Sequence, residues 1–178
     1  MNLRHLASGI VAASVVLAAG AGAFAHPKPK PHARPAAPSV VKTIAAKKTV
    51  VFTVNAGQGA GNSGMNFDGY ANGQMTVTVP TGWTVDVVFK NVGGLPHSVV
   101  FEPFKENMNS QNPLPAFKGA QSPSPVAGTA PGSGANFHFV ANKAGKYRII
   151  CAYPGHAALG MWDVLMVKPG IKSASVKA

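Results

Sequence analysis

Cys151, the only cysteine in the chain, is followed five positions later by His156 and five after that by Met161. A thiolate, an imidazole and a thioether on one short stretch make up most of a ligand set suited to copper. Cu(I) prefers soft sulfur, whereas Cu(II) prefers nitrogen and tetragonal geometry; two imidazoles, one thiolate and a weak axial thioether satisfy neither state fully. A scaffold that holds this compromise rigid limits rearrangement when an electron arrives or leaves. The missing second imidazole is offered by His97, in Leu95-Pro96-His97-Ser98. His97, Cys151, His156 and Met161 are thus the candidate ligands of a single copper ion. Ser98 is placed to hydrogen-bond near the thiolate or to brace its loop. Leu95, Pro96, Pro154, Ala157 and Leu159 are candidates for an apolar rim around a partly exposed edge of His156, a small surface of the kind on which redox proteins dock weakly.

The flanking sequence supplies strands to position these groups. Val50 to Val54 is a β-branched run ending in the Asn55-Ala56-Gly57 turn cluster, and Met75 to Val79 alternates after the Asn72-Gly73 turn signal. Trp83, Val85, Val87 and Phe89 continue the alternation beyond Pro80-Thr81-Gly82. Short strands are also expected at 99–101, 135–140, 146–151 and 163–167. Cys151 then ends a strand, the Pro154-Gly155 turn folds His156 back toward it, and Met161 enters just before the last strand. No segment has a sustained helical period. Seven or eight short strands predict an all-β, antiparallel sandwich. Gln58 to Gly64 is glycine-rich, but no lysine closes it and no helical pattern follows, so it reads as a flexible connection rather than a phosphate loop. Residues 102–134, rich in proline, serine, glycine and asparagine, form a long segment expected to drape over one flank of the site. His138 is expected at the surface.

Around this core, residues 1–25 read as an export signal with cleavage after Ala25; the alternative is an uncleaved membrane anchor of about 20 residues. Either reading puts the rest of the chain outside the cytoplasm. Residues 26–48 alternate proline with basic residues and read as an extended linker. The predicted domain spans 49–170, with a tail at 171–178. The formal charge is +11, and Lys28, Lys30, Arg34, Lys42, Lys47 and Lys48 place six positive charges between residues 26 and 48 with no acid among them. Without interleaved aromatics or a reading motif this does not indicate nucleic acid; it points to anionic lipid or an acidic partner face.

Asn66-Phe67-Asp68-Gly69, Val79-Pro80-Thr81-Gly82-Trp83, Leu95-Pro96-His97-Ser98 and the stretch Cys151 to Trp162 resemble the sulfocyanin family of blue copper proteins, within the wider cupredoxin fold. Phe117-Lys118-Gly119-Ala120, with Pro123 and Pro125, is also similar. The likeness covers roughly residues 64–168. It implies a cupredoxin-like Greek-key sandwich and a type 1 copper centre with His97, Cys151, His156 and Met161 as ligands. The role it implies is that of an electron carrier, not an enzyme, in a respiratory chain. Such a carrier is expected to be a monomer in the periplasm or on the outer face of the cytoplasmic membrane, exchanging electrons with a donor and an acceptor such as a terminal oxidase or cytochrome complex. Family members are often attached to the membrane through their N-terminus, but the basic tail lies outside the matching region. The competing expectation is an exported copper storage or delivery protein without redox turnover, although the methionine or histidine cluster typical of that role is missing.

Overall fold

The computed structural model describes residues 40–104 and 112–178. The signal or anchor segment, residues 26–39 of the linker and residues 105–111 of the long loop lie outside the described residues. Nine strands are described: β1 (Val41–Ile44), β2 (Thr49–Ala56), β3 (Thr76–Pro80), β4 (Thr84–Asn91), β5 (Val100–Pro103), β6 (Gly134–Val140), β7 (Gly145–Ile150), β8 (Trp162–Lys168) and β9 (Ser175–Lys177). They form two sheets, ordered β1-β2-β4-β6 and β5-β7-β8-β3-β9. β1 and β9 extend the sheets beyond the 49–170 limits read from sequence, one into the stretch read as linker and the other into the tail.

Period-2 patterning explains which face of each strand turns inward. Val50, Phe52, Val54 and Ala56 of β2, and Val85, Val87 and Phe89 of β4, are buried while their neighbours reach solvent. The inner faces meet in an aromatic core. Phe101 packs on Phe52 and Phe139, and Phe117 stacks on Phe139 with centroids 5.3 Å apart and leans on Tyr147.

The antiparallel expectation holds only in part, because both sheets are mixed. β2 pairs with β4 in parallel, Thr49 opposite Thr84 through Ala56 opposite Asn91, and β3 pairs with β8 in parallel. The cause is the chain path. From β2 the chain crosses to β3 in the second sheet and returns to β4, so β2 and β4 run the same way. Parallel travel brings Ala56 and Asn91 to the same end of the sandwich. Cys151 follows β7, and β8 begins at Trp162, at that end too. The β2–β3, β4–β5 and β7–β8 loops therefore converge there.

Candidate metal centre

The first ligand loop leaves β4 at Asn91, whose side chain points inward and is buried. Its amide donates to the carbonyls of Leu95 (2.7 Å) and Thr129 (2.8 Å), while its oxygen accepts from the Gly93 N–H (3.0 Å). One side chain thus fixes the turn that delivers His97. His97 is then bound on both sides to Thr129: its N–H donates to the Thr129 carbonyl (3.1 Å) and its carbonyl accepts from the Thr129 N–H (2.6 Å). The described part of the long loop does flank the site, as its position between the candidate ligands predicted.

The second ligand loop is a series of tight turns. His156 N–H donates to the Tyr153 carbonyl, Leu159 N–H to Gly155, and Gly160 N–H to Ala157, with Gly155 in the left-handed conformation at φ +83° that the reversal needs. Cys151 N–H donates to the Met161 carbonyl and Met161 N–H to the His156 carbonyl. The loop is therefore stitched through the three candidate ligands' own backbones, which puts Met161, fully buried, beside Cys151 and His156.

The side chains meet at the convergence. His97, Cys151 and His156 are all buried, with ligand atoms within 4.8 Å of one another. Cys151 Sγ lies 3.9 Å from His97 Nδ1 and 3.5 Å from His156 Nδ1, and the two Nδ1 atoms are 3.2 Å apart. A point equidistant from the corners of this triangle lies inside it, about 2.1 Å from each, against the roughly 2.0–2.3 Å at which imidazole nitrogen and thiolate sulfur bind a first-row ion. A trigonal His₂Cys plane therefore fits copper without any donor moving.

The electrostatics agree. Burial lowers the pKa of both imidazoles, and for His97 the adjacent His156 adds to it, bringing His97 to about 4. Both rings are thus neutral at neutral pH, and a neutral ring is the form that ligates. Burial pushes the Cys151 thiol up, opposed by the Ser98 and Tyr153 N–H groups and the Ser98 hydroxyl. Ser98 has the place expected of it: its N–H points at Sγ (3.3 Å), and its Oγ accepts from the Ala152 N–H (2.9 Å), tying the two ligand loops together.

Two expectations need correction. His156 has no partly exposed edge, being only 5% exposed, and Ala157 is fully buried. Tyr153 covers the imidazole, with centroids 4.8 Å apart. The apolar rim is instead made by Leu95 and Leu159, 50% and 59% exposed, joined by Val92 and Pro154. Nor is the glycine-rich stretch loose. Asn66 accepts from the Gln58 and Gly69 N–H groups, and Asn62 donates to the Leu159 carbonyl (3.0 Å), pinning the stretch onto the ligand loop. Gly57, just before the stretch, is also structural: a Cβ there would lie 2.5 Å from Gly93 Cα and 3.0 Å from His97 Nε2. Two backbones close directly over the far edge of His97.

Residues 36–175 match the family model described as the sulfocyanin (SoxE) domain. The chain belongs to the sulfocyanin family. A curated sulfocyanin from Sulfolobus acidocaldarius is 30% identical over 131 residues, which cover 70% of this chain and 66% of that protein. The chain thus spans just under two thirds of its relative's length. Among solved structures, reduced auracyanin from the photosynthetic bacterium Roseiflexus castenholzii is 28% identical with a TM-score of 0.50, covering 68% of this chain and 98% of that one. A rusticyanin variant is 27% identical with a TM-score of 0.52, covering 68% and 78%. The sulfocyanin fold here is that of the cupredoxins, and the His97–Cys151–His156 cluster, with Met161 beside it, is a donor set typical of type 1 copper.

Proposed function

We propose that the chain is a mononuclear type 1 copper electron carrier working outside the cytoplasm between a redox donor and acceptor such as a cytochrome complex and a terminal oxidase. His97, Cys151 and His156 would hold the copper ion, with Met161 as the further, weaker donor. The observation that carries the reading is the triangle of buried donor atoms already at metal-bonding spacing. Copper held there supplies a one-electron couple at a ligand set intermediate between the preferences of its two states.

The chain's own residues do the rest. Burial of all three donors keeps water off the site. Asn91, Thr129 and the Gly57–Gly93 contact hold His97, while the Cys151–Met161 and Met161–His156 backbone bonds hold the opposite side, so the donor triangle keeps its dimensions as charge changes. The Ser98 N–H stabilises negative charge on Sγ and so tunes the thiolate. The Leu95–Leu159 rim supplies an apolar face for brief docking. Export rests on the sequence of residues 1–25, read either as a cleaved signal or as an anchor.

Absorption and EPR spectra of the copper-loaded, oxidised chain test this. An intense visible thiolate band is expected, and Cys151→Ser should abolish it with an unchanged far-UV circular dichroism spectrum. Tight Cu(I) binding with no blue oxidised state would reject the carrier and favour storage or delivery.

A further inference from the structure

The charge of the folded domain is more one-sided than its composition suggests. Among the described residues the side-chain carboxylates are Asp68, Asp86, Glu102 and Asp163, and all but Asp86 are buried. Every described lysine is exposed. Among the described residues the charged groups at the surface are therefore lysines apart from Asp86, and they are not spread evenly.

Five lysines lie on the turns at the end of the sandwich remote from the metal centre. Lys47 and Lys48 are in the β1–β2 turn, Lys143 in the β6–β7 turn, and Lys168 and Lys172 at the end of β8 and in the turn to β9. Main-chain bonds from the β3–β4 turn draw these turns together. Thr81 N–H donates to the Lys168 carbonyl (2.9 Å), Gly82 N–H to Ala141 (2.8 Å), and Thr84 N–H to Lys48 (3.0 Å). Ala174 N–H donates to Thr43 Oγ1 (3.0 Å), which brings the turn carrying Lys172 against β1. No carboxylate lies in any of these turns. At the metal end, 57–64, 92–98 and 151–161 hold no lysine; Lys90 stands one residue before Asn91, and the long loop that flanks the site carries Lys118.

We infer that this lysine pole docks the folded domain on an anionic lipid surface, with the metal centre facing away from it. Charge complementarity selects the class of partner, and composition selects lipid over protein. Specific protein interfaces are enriched in aromatic residues and arginine and depleted in lysine. These turns carry lysine without arginine, and Val140 is the only strongly exposed large apolar side chain near them among the described residues. Compact ammonium groups on irregular turns suit a diffuse field from many headgroups rather than one shaped epitope. The basic stretch before residue 40 adds to the same attraction but is not needed to give it direction. The docking rests on charge alone; only its consequence, presentation of the apolar rim to soluble partners, rests on the copper reading.

The two tryptophans allow a direct test, since Trp83 lies in the β3–β4 turn at the lysine pole and Trp162 opens β8 at the metal end. The full chain, copper-free so that the outcome does not depend on the metal, is cosedimented with phosphatidylcholine vesicles with or without about 30% phosphatidylglycerol. Binding should require the anionic lipid and be lost at high salt. Replacing Lys143, Lys168 and Lys172 together by Gln should weaken it about fivefold per lysine, and replacing Lys42, Lys90 and Lys118 should weaken it far less. Spin-labelled headgroups should quench Trp83 (in Trp162→Phe) more than Trp162 (in Trp83→Phe). Equal losses from the two lysine triples, the reverse order of quenching, or loss only on replacing Lys28, Lys30 and Arg34 overturns the proposal. Failure to bind anionic vesicles overturns it too and leaves an acidic protein as the occupant of the pole.

Discussion

The two ends of this sandwich are made from the same strands and by different means. At the metal end, buried polar side chains bond to loop backbone: Asn91 to Leu95 and Thr129, Asn66 to Gly61, Ser98 to Ala152, Ser122 to Val99. At the lysine end the turns are joined largely by main-chain bonds, and the side chains project into water. Backbone bonds are indifferent to side-chain identity, so the lysine end can carry charge without a structural penalty. A donor triangle that must hold its spacing needs loops fixed by particular side chains. Surface character follows the same division: Val92, Leu95 and Leu159 are exposed around the site, and lysines cover the far pole.

The sharpest way to break this comparison is to put the character of one end onto the other. Two copper-loaded molecules that exchange electrons rim to rim must bring like faces together. Leu159→Lys places a cation on each, and like charges across an interface cost several kcal/mol. The self-exchange rate, read by NMR line broadening in mixtures of oxidised and reduced chain, should fall by more than about tenfold and recover with salt. Lys168→Gln should leave it nearly unchanged. Equal effects of the two variants would remove the rim as the docking face. A smaller effect separates the two modes of construction. Asn91→Ala removes the three hydrogen bonds of a buried amide and should destabilise the copper-free chain by about 2–3 kcal/mol in thermal or urea unfolding. Lys143→Ala, at the other end, should stay within about 0.5 kcal/mol.

What the sequence shows of this division is uneven, for physical reasons. The candidate ligands stood out because their types are rare: a single cysteine, with histidine and methionine at a spacing that one turn can close. Strand positions were legible from period-2 burial. The parallel pairing of β2 with β4 was not, since alternation tells which face is buried and nothing about the direction of the neighbouring strand. Asn62 and Asn66 were hidden in a glycine-rich stretch, where asparagine reads as a turn former. Asn91 carried a usable signal: in the series Val85, Val87, Phe89, Asn91 the last inward position is an amide, and a buried amide at a strand end needs partners in the next loop. The lysine pole escaped because a count over residues 49–178 weighs each acid equally, whereas folding hides most of them.

Those hidden carboxylates supply the smallest and most specific test. Asp68 is 1% exposed, in a left-handed turn at the metal end (φ +52°). Its Oδ1 accepts from the Asn55 N–H (3.2 Å) and side-chain amide (2.9 Å), while Oδ2 is buried without a partner. Burial outweighs those two bonds and raises its pKa from 3.8 to about 6. A carboxyl whose pKa is higher in the folded state takes up protons on folding. Its contribution to stability is therefore complete below about pH 4 and lost as pH rises through about 6. Asn keeps the acceptor toward Asn55 and tolerates the left-handed backbone, but does not titrate. The difference in unfolding free energy between wild type and Asp68→Asn should thus shift in favour of Asn as pH rises from about 4 to 7, with a smaller further shift through about pH 8 where Asp163 titrates, and then level off. Taking the difference cancels the opposing titrations of His97 and His156, whose lowered values favour the unfolded chain on acidification. Asp163, raised to about 8 by burial and in part by the charge of Asp68, should titrate lower in the variant. Vesicle binding should not change, because the charge removed never reaches the surface. A difference that is flat with pH would mean that the Asp68 carboxylate is ionised inside the fold at no cost, and the burial of acid could not then explain why the exterior is left to lysine.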